Sequence, residues 1–157
     1  MKQTIITAYR WLVIGAGKLQ PPFLLVIRLY WGWQFFLTGK GKLENLDRVT
    51  GFFKSLGIPF PHEQAMLVGC IESCGGLLLL LGLASRLVSL PLASTLIVAY
   101  LTADLDRVKA IFSDTDKFLT ADEFLFLFAV VTVLVFGPGK FSLDYLIGKN
   151  CAKCAKS

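Results

Sequence analysis

Long apolar runs separated by short polar intervals dominate the chain. A helix rises about 1.5 Å per residue and the hydrocarbon core of a bilayer is roughly 30 Å thick, so one crossing needs about 20 mostly apolar residues. Four stretches fit: residues 21–38, 65–83, 87–103 and 120–136. Pro21 and Pro22 suit the start of the first, and Gly137-Pro138-Gly139 closes the last. Thr120-Ala121-Asp122-Glu123 reads as a capping box, with Thr120 as N-cap of the fourth span and Glu123 as its reciprocal partner.

The polar intervals refine this pattern. Residues 4–19 mix Ile, Tyr, Trp and Leu with Arg10 and Lys18 and are too short to cross. They predict an interfacial amphipathic helix with Tyr9 and Trp11 at headgroup level. Residues 41–64 are too polar to span, but Phe52, Phe53 and Leu56 give them an apolar patch that can fold back onto the bundle or the membrane surface. The link Ala84-Ser85-Arg86 is so short that the second and third spans must be antiparallel neighbours. The predicted fold is all-α: an integral membrane four-helix bundle over residues 21–138, preceded by an interfacial helix over 1–20 and followed by a basic tail over 139–157.

Composition supports lipid as the surroundings. The 157 residues are 55% hydrophobic and 17% charged, with a mean hydropathy of +0.64. Soluble domains average about 45–50% apolar and about 25% charged. The net charge of +5 is spread over tails and loops and forms no basic stripe on a helix, which excludes a nucleic-acid surface and suits anionic headgroups. Lys and Arg are slightly more numerous on the side that the two tails would share, which places both termini in the cytoplasm.

Charges inside the spans are costly, about 2.5–3.5 kcal/mol at mid-bilayer on insertion scales, so they face inward and pair. Arg28 in the first span and Glu72 in the second are the candidates, and they predict a buried pair. At about 100° per residue, Gly69, Gly75 and Gly76 lie within about 60° of Glu72, while Cys70 and Cys74 fall nearly opposite. Glycines on one face let a neighbouring helix approach closely. Trp31, Gly32 and Phe35 share the face of Arg28. A cavity lined by these residues would suit a flat apolar ligand such as a quinone; ordinary aromatic packing accounts for the same pattern. Buried, inert thiols are the expectation for Cys70 and Cys74.

The remaining chemistry is sparse. Lys40, Lys42 and Arg86 read as headgroup anchors at the span ends. His62 is the one histidine, so no multi-histidine metal or haem site can be assembled. Asp114-Thr115-Asp116 lacks the further ligands and glycine of a calcium loop, and no metal is expected. Cys151-Ala152-Lys153-Cys154 has the CxxC spacing of redox thiols, but one such pair supplies only two metal ligands.

Taken in order, several short motifs resemble the DoxX family of small four-span bacterial membrane proteins over residues 24–100. They are Ile27-Arg28-Leu29, Thr38-Gly39-Lys40 with Lys42-Leu43, Gly57-Ile58-Pro59 with Pro61, Ile71-Glu72-Ser73-Cys74-Gly75-Gly76, and Leu80-Leu81-Gly82-Leu83 with Arg86. The resemblance implies a four-helix bundle in the bacterial inner membrane. It also implies association with redox systems, since relatives include a subunit of a thiosulfate:quinone oxidoreductase and membrane partners of redox-defence proteins. Two functions are thus expected. One is a redox-associated membrane subunit, linked to quinone, thiols or sulfur compounds. The other is a non-catalytic scaffold or assembly partner for a soluble oxidoreductase or thiol enzyme. Whether the chain is itself catalytic, and whether it forms homo-oligomers, is left open by the sequence.

Overall fold

The computed structural model describes residues 2–109, 111 and 114–154, and among them every regular element is helical. They are α1 (Lys2–Glu44), α2 (Leu46–Ser55), α3 (Pro61–Leu81), α4 (Ser85–Thr102), α5 (Leu105–Lys109), α6 (Thr115–Leu119), α7 (Asp122–Phe136) and α8 (Leu143–Cys154). Helices α1, α3, α4 and α7 form a ring in which each touches the next and α7 returns to α1. Inside it Phe35, Leu79, Leu92, Leu96, Val130 and Val133 make a continuous apolar core. The outward faces are also apolar, with Trp33, Leu77, Leu90, Val98, Phe128 and Val135 exposed. Apolar residues on both sides of a helix are the mark of a bundle made for lipid.

Three helices are long and apolar enough to cross a membrane: α1 over Tyr9–Glu44, then α3 and α4. Helix α7 has 15 residues and rises only about 22 Å, so its length alone does not establish a fourth crossing. The expected Thr120 cap does not form. The N-cap is Ala121, and the Thr120 hydroxyl donates instead to the Asp116 carbonyl at 2.7 Å. A hydroxyl close to the preceding turn has that carbonyl as a ready competitor for its bond. Glu123 in turn sits half-buried beside Asp104 rather than closing a box.

The largest departure from expectation is at the N-terminus. Helix α1 runs unbroken for 43 residues, about 64 Å, through both Pro21 and Pro22, so the described residues of the expected 1–20 helix are not a separate element. Each proline removes one backbone donor, but a helix can continue where the freed carbonyls find other partners. The interval after α1 behaves as its pattern suggests: α2 is amphipathic and folds back on α3.

Candidate functional site

The α1–α3 contact is an antiparallel seam of small residues. An added Cβ on Gly32 would meet Leu80 N at 2.8 Å and Gly76 O at 3.0 Å. One on Gly76 would meet Phe36 N at 2.5 Å, one on Gly39 would overlap the Ser73 backbone, and one on Gly69 would meet the Leu43 side chain at 2.7 Å. The contacts 32/80, 36/76, 39/73 and 43/69 keep one register along the seam. Steps of four and three residues on each helix give a heptad-like stripe, and glycine at its closest points brings the backbones together.

Of the two readings of these faces, this closure favours ordinary packing over a ligand cavity between the first two spans. Gly32, Gly69 and Gly76 are consumed by helix packing, and Gly75 faces α4, where Leu92 fills the space. Trp31 and Phe35 pack edge-on against Phe126 of α7, with ring centroids 4.8 and 4.7 Å away. The aromatic pattern is therefore core packing. Cys70 and Cys74, expected to be buried, are exposed free thiols on the outer face of α3, because the side opposite the seam points to the surroundings.

Arg28 and Glu72 are both buried, at 1% and 4% exposed, yet they are not partners. Arg28 sits at the C-terminal end of α3. There Gly82, with φ +70°, closes the helix by the bonds Leu83 N to Leu78 O and Gly82 N to Leu79 O. This is a Schellman arrangement, which leaves carbonyl capacity unmet in the last turn. The guanidinium supplies it: Nε donates to Leu79 O at 3.0 Å and Nη2 to Leu80 O at 3.1 Å. Nη1 donates to Pro138 O at 2.6 Å and Phe141 O at 3.1 Å, tying the segment after α7 to the same point. A side chain on Gly82 would overlap this guanidinium, so glycine is needed for both space and φ. The positive charge also faces the negative end of the α3 dipole. Arg28 is thus a structural clasp with four of its five N–H donors on backbone carbonyls.

Glu72 lies near the middle of α3, one residue past the midpoint of Pro61–Leu81, and its partner is Lys42. The ammonium Nζ is 2.5 Å from Glu72 Oε1, with the Lys42 side chain 33% exposed and that of Glu72 6% exposed. Oε2 of the same carboxylate is buried without a hydrogen-bond partner among the described residues, and so is Ser73 Oγ beside it. Lys42 is the residue that the anchor reading missed. A signal for it existed: 14 residues separate it from Arg28, which returns a helix to within about 40° of the same face. The arrangement offers a held carboxylate with one open acceptor, and an ammonium that reaches from it toward the exterior.

The other candidates are dispersed. Lys40 makes an exposed contact with Glu44 at 3.6 Å. Arg86 donates to Val135 O at 3.3 Å, holding the start of α4 to the end of α7. Asp144, not singled out by sequence, accepts from Ala84 N at 2.7 Å and Ser85 N at 2.9 Å, and so caps α4 from the C-terminal segment. The side chains of Cys151 and Cys154 lie outside what the structure describes.

Comparison with known proteins agrees with this architecture. A Bacillus subtilis protein named "Putative oxidoreductase CatD" is 32% identical over 126 residues, spanning 80% of this chain and 87% of that protein. A Mycobacterium tuberculosis protein named "Uncharacterized membrane protein Rv3486" is 30% identical over 144 residues, spanning 85% of this chain and 86% of that one. No solved structure matches. The DoxX family model matches residues 23–105, which hold the glycine seam, Arg28, Lys42 and Glu72, and the chain belongs to the DoxX family of membrane proteins.

Proposed function

We propose that this chain is a redox-associated component of the bacterial inner membrane, linked to quinone, thiol or sulfur chemistry, with the Lys42–Glu72 pair as its functional centre. The observation that carries the reading is the buried carboxylate of Glu72, with one oxygen on Lys42 and the other open. An ionisable pair between two spanning helices is costly to keep, and such groups commonly mark proton or ligand paths. Its open oxygen can accept a proton or a hydrogen bond from a reduced carrier, and Lys42 can donate to an oxidised one. The name of the Bacillus relative supports a redox setting. A fourth crossing by α7, with both termini in the cytoplasm, completes this reading.

The closed α1–α3 seam favours a second reading, a scaffold that docks a soluble oxidoreductase or thiol enzyme and does no chemistry itself. Membranes containing the protein and its neighbours separate the two. Thiol- or thiosulfate-dependent reduction of a soluble quinone analogue should fall at least tenfold in Glu72→Gln while the protein remains folded. Full activity and unchanged co-purification of a soluble enzyme in that variant would leave only the scaffold.

A further inference from the structure

Two grooves along α1 lie where it leaves the bundle, around the prolines. One, of about 310 Å³, is apolar and is formed by Ala16, Leu19, Phe23, Leu24 and Phe136 with Gln20. The other, of about 340 Å³, has Lys18 and Lys140 at its rim over Pro21, Pro22 and Phe141, and includes Gly17. Pro21 lies about 10 Å along α1 from Arg28, which marks the end of α3. The polar layer of a bilayer occupies that depth, roughly 5–8 Å beyond each hydrocarbon edge.

The prolines give this second groove unusual chemistry. In a continuous helix the carbonyls of Gly17 and Lys18 would accept from the N–H groups of residues 21 and 22, and proline has none. Gly17 and Lys18 are exposed, and nothing lies within 4 Å of where a Gly17 side chain would stand. Two carbonyl acceptors without the usual helical donors therefore belong to a groove that Lys18 and Lys140 also line, with an apolar groove alongside. Exposed carbonyls of this kind are open to any donor that reaches them, including a headgroup hydroxyl.

We propose that these grooves form a binding site for an anionic phospholipid with a glycerol headgroup. Lys18 and Lys140 hold the phosphate, the headgroup hydroxyls donate to the Gly17 and Lys18 carbonyls, and an acyl chain lies along Leu19, Phe23 and Phe136. Phosphate and hydroxyl donors together select this class: a choline headgroup has no donor, and free phosphate leaves the apolar groove empty. Basic recesses beside spanning helices commonly hold anionic headgroups.

Native mass spectrometry of the full chain in detergent, titrated with dioleoyl phosphatidylglycerol, phosphatidylcholine, phosphatidic acid and inorganic phosphate, tests this. Phosphatidylglycerol should bind at least tenfold more tightly than phosphatidylcholine, and inorganic phosphate should not displace it. Lys18→Gln with Lys140→Gln, both exposed positions, should lose that preference with an unchanged melting temperature. Pro21→Ala with Pro22→Ala, which restores both donors, should weaken phosphatidylglycerol and leave phosphatidic acid unchanged. Equal binding of phosphatidylglycerol and phosphatidylcholine, displacement by inorganic phosphate, retention in the lysine double variant, or an equal response of both anionic lipids to the proline changes would overturn the site.

Discussion

Lys42 of α1 closes on Glu72 of α3 at 2.5 Å, and Arg28, the other buried charge, turns away to four backbone carbonyls. The two buried ions among the described residues, Arg28 and Glu72, therefore do different work. One fastens the end of a helix and the segment that follows α7. The other leaves a carboxylate oxygen open.

This division predicts the outcome of double-mutant cycles on unfolding of the purified protein. Lys42→Met and Glu72→Gln should be coupled by about 1–3 kcal/mol, as groups in direct contact are. Arg28→Met and Glu72→Gln should add to within about 0.5 kcal/mol. Coupling of Arg28 to Glu72 as large as that of Lys42 would show that the original pairing expectation was right.

Arg28 should not tolerate lysine. A planar fork with several donors serves Leu79, Leu80, Pro138 and Phe141 together, and a single ammonium cannot reach all four. Arg28→Lys should cost on the order of 2–4 kcal/mol, given roughly 1.5–3 kcal/mol for each hydrogen bond to a charged group and partial replacement. Thermal unfolding in detergent reads this directly, and a loss below about 0.5 kcal/mol would refute the clasp.

The glycine seam separates from the other glycines in the same helices. Gly32→Ala and Gly76→Ala press a methyl against opposing backbone and should each destabilise by about 1–3 kcal/mol. Gly15→Ala and Gly41→Ala, with nothing within 4 Å, should be neutral or stabilise by up to about 1 kcal/mol. Unfolding midpoints of the four variants provide the comparison.

Asp144→Ala should release the N-terminus of α4, because both carboxylate oxygens cap it. The expected loss is about 1 kcal/mol, with faster amide exchange at Ala84 and Ser85. Unchanged exchange there would show that the cap is dispensable.

Much of this fold was legible because length and hydropathy are properties of single segments. The positions of α3 and α4, their antiparallel packing and the fold-back of α2 all follow from local pattern. The glycine face of α3 was also legible, since a helix repeats every 3.6 residues. Partner choice was not. Arg28 and Glu72 looked like complements because opposite charges attract, but pairing depends on the register between α1 and α3, set by where the glycines of both helices meet. That register puts Glu72 opposite Lys42 and places Arg28 at the α3 terminus. Backbone acceptors such as Pro138 O and Leu80 O carry no side-chain signature at all. The continuity of α1 through Pro21 and Pro22 was likewise hidden, because proline punctuates helices in water more strictly than in lipid.

The Lys42→Met and Glu72→Met double variant tests most directly whether the buried pair serves function or fold. Replacing both members of a buried ion pair by apolar groups is often neutral or stabilising, so the variant should fold with a melting temperature at or above the parent's. Thiol- or thiosulfate-dependent quinone reduction by membranes carrying it should nevertheless fall at least tenfold. Activity equal to the parent's, in a variant that folds as well, would contradict a functional role for Lys42 and Glu72.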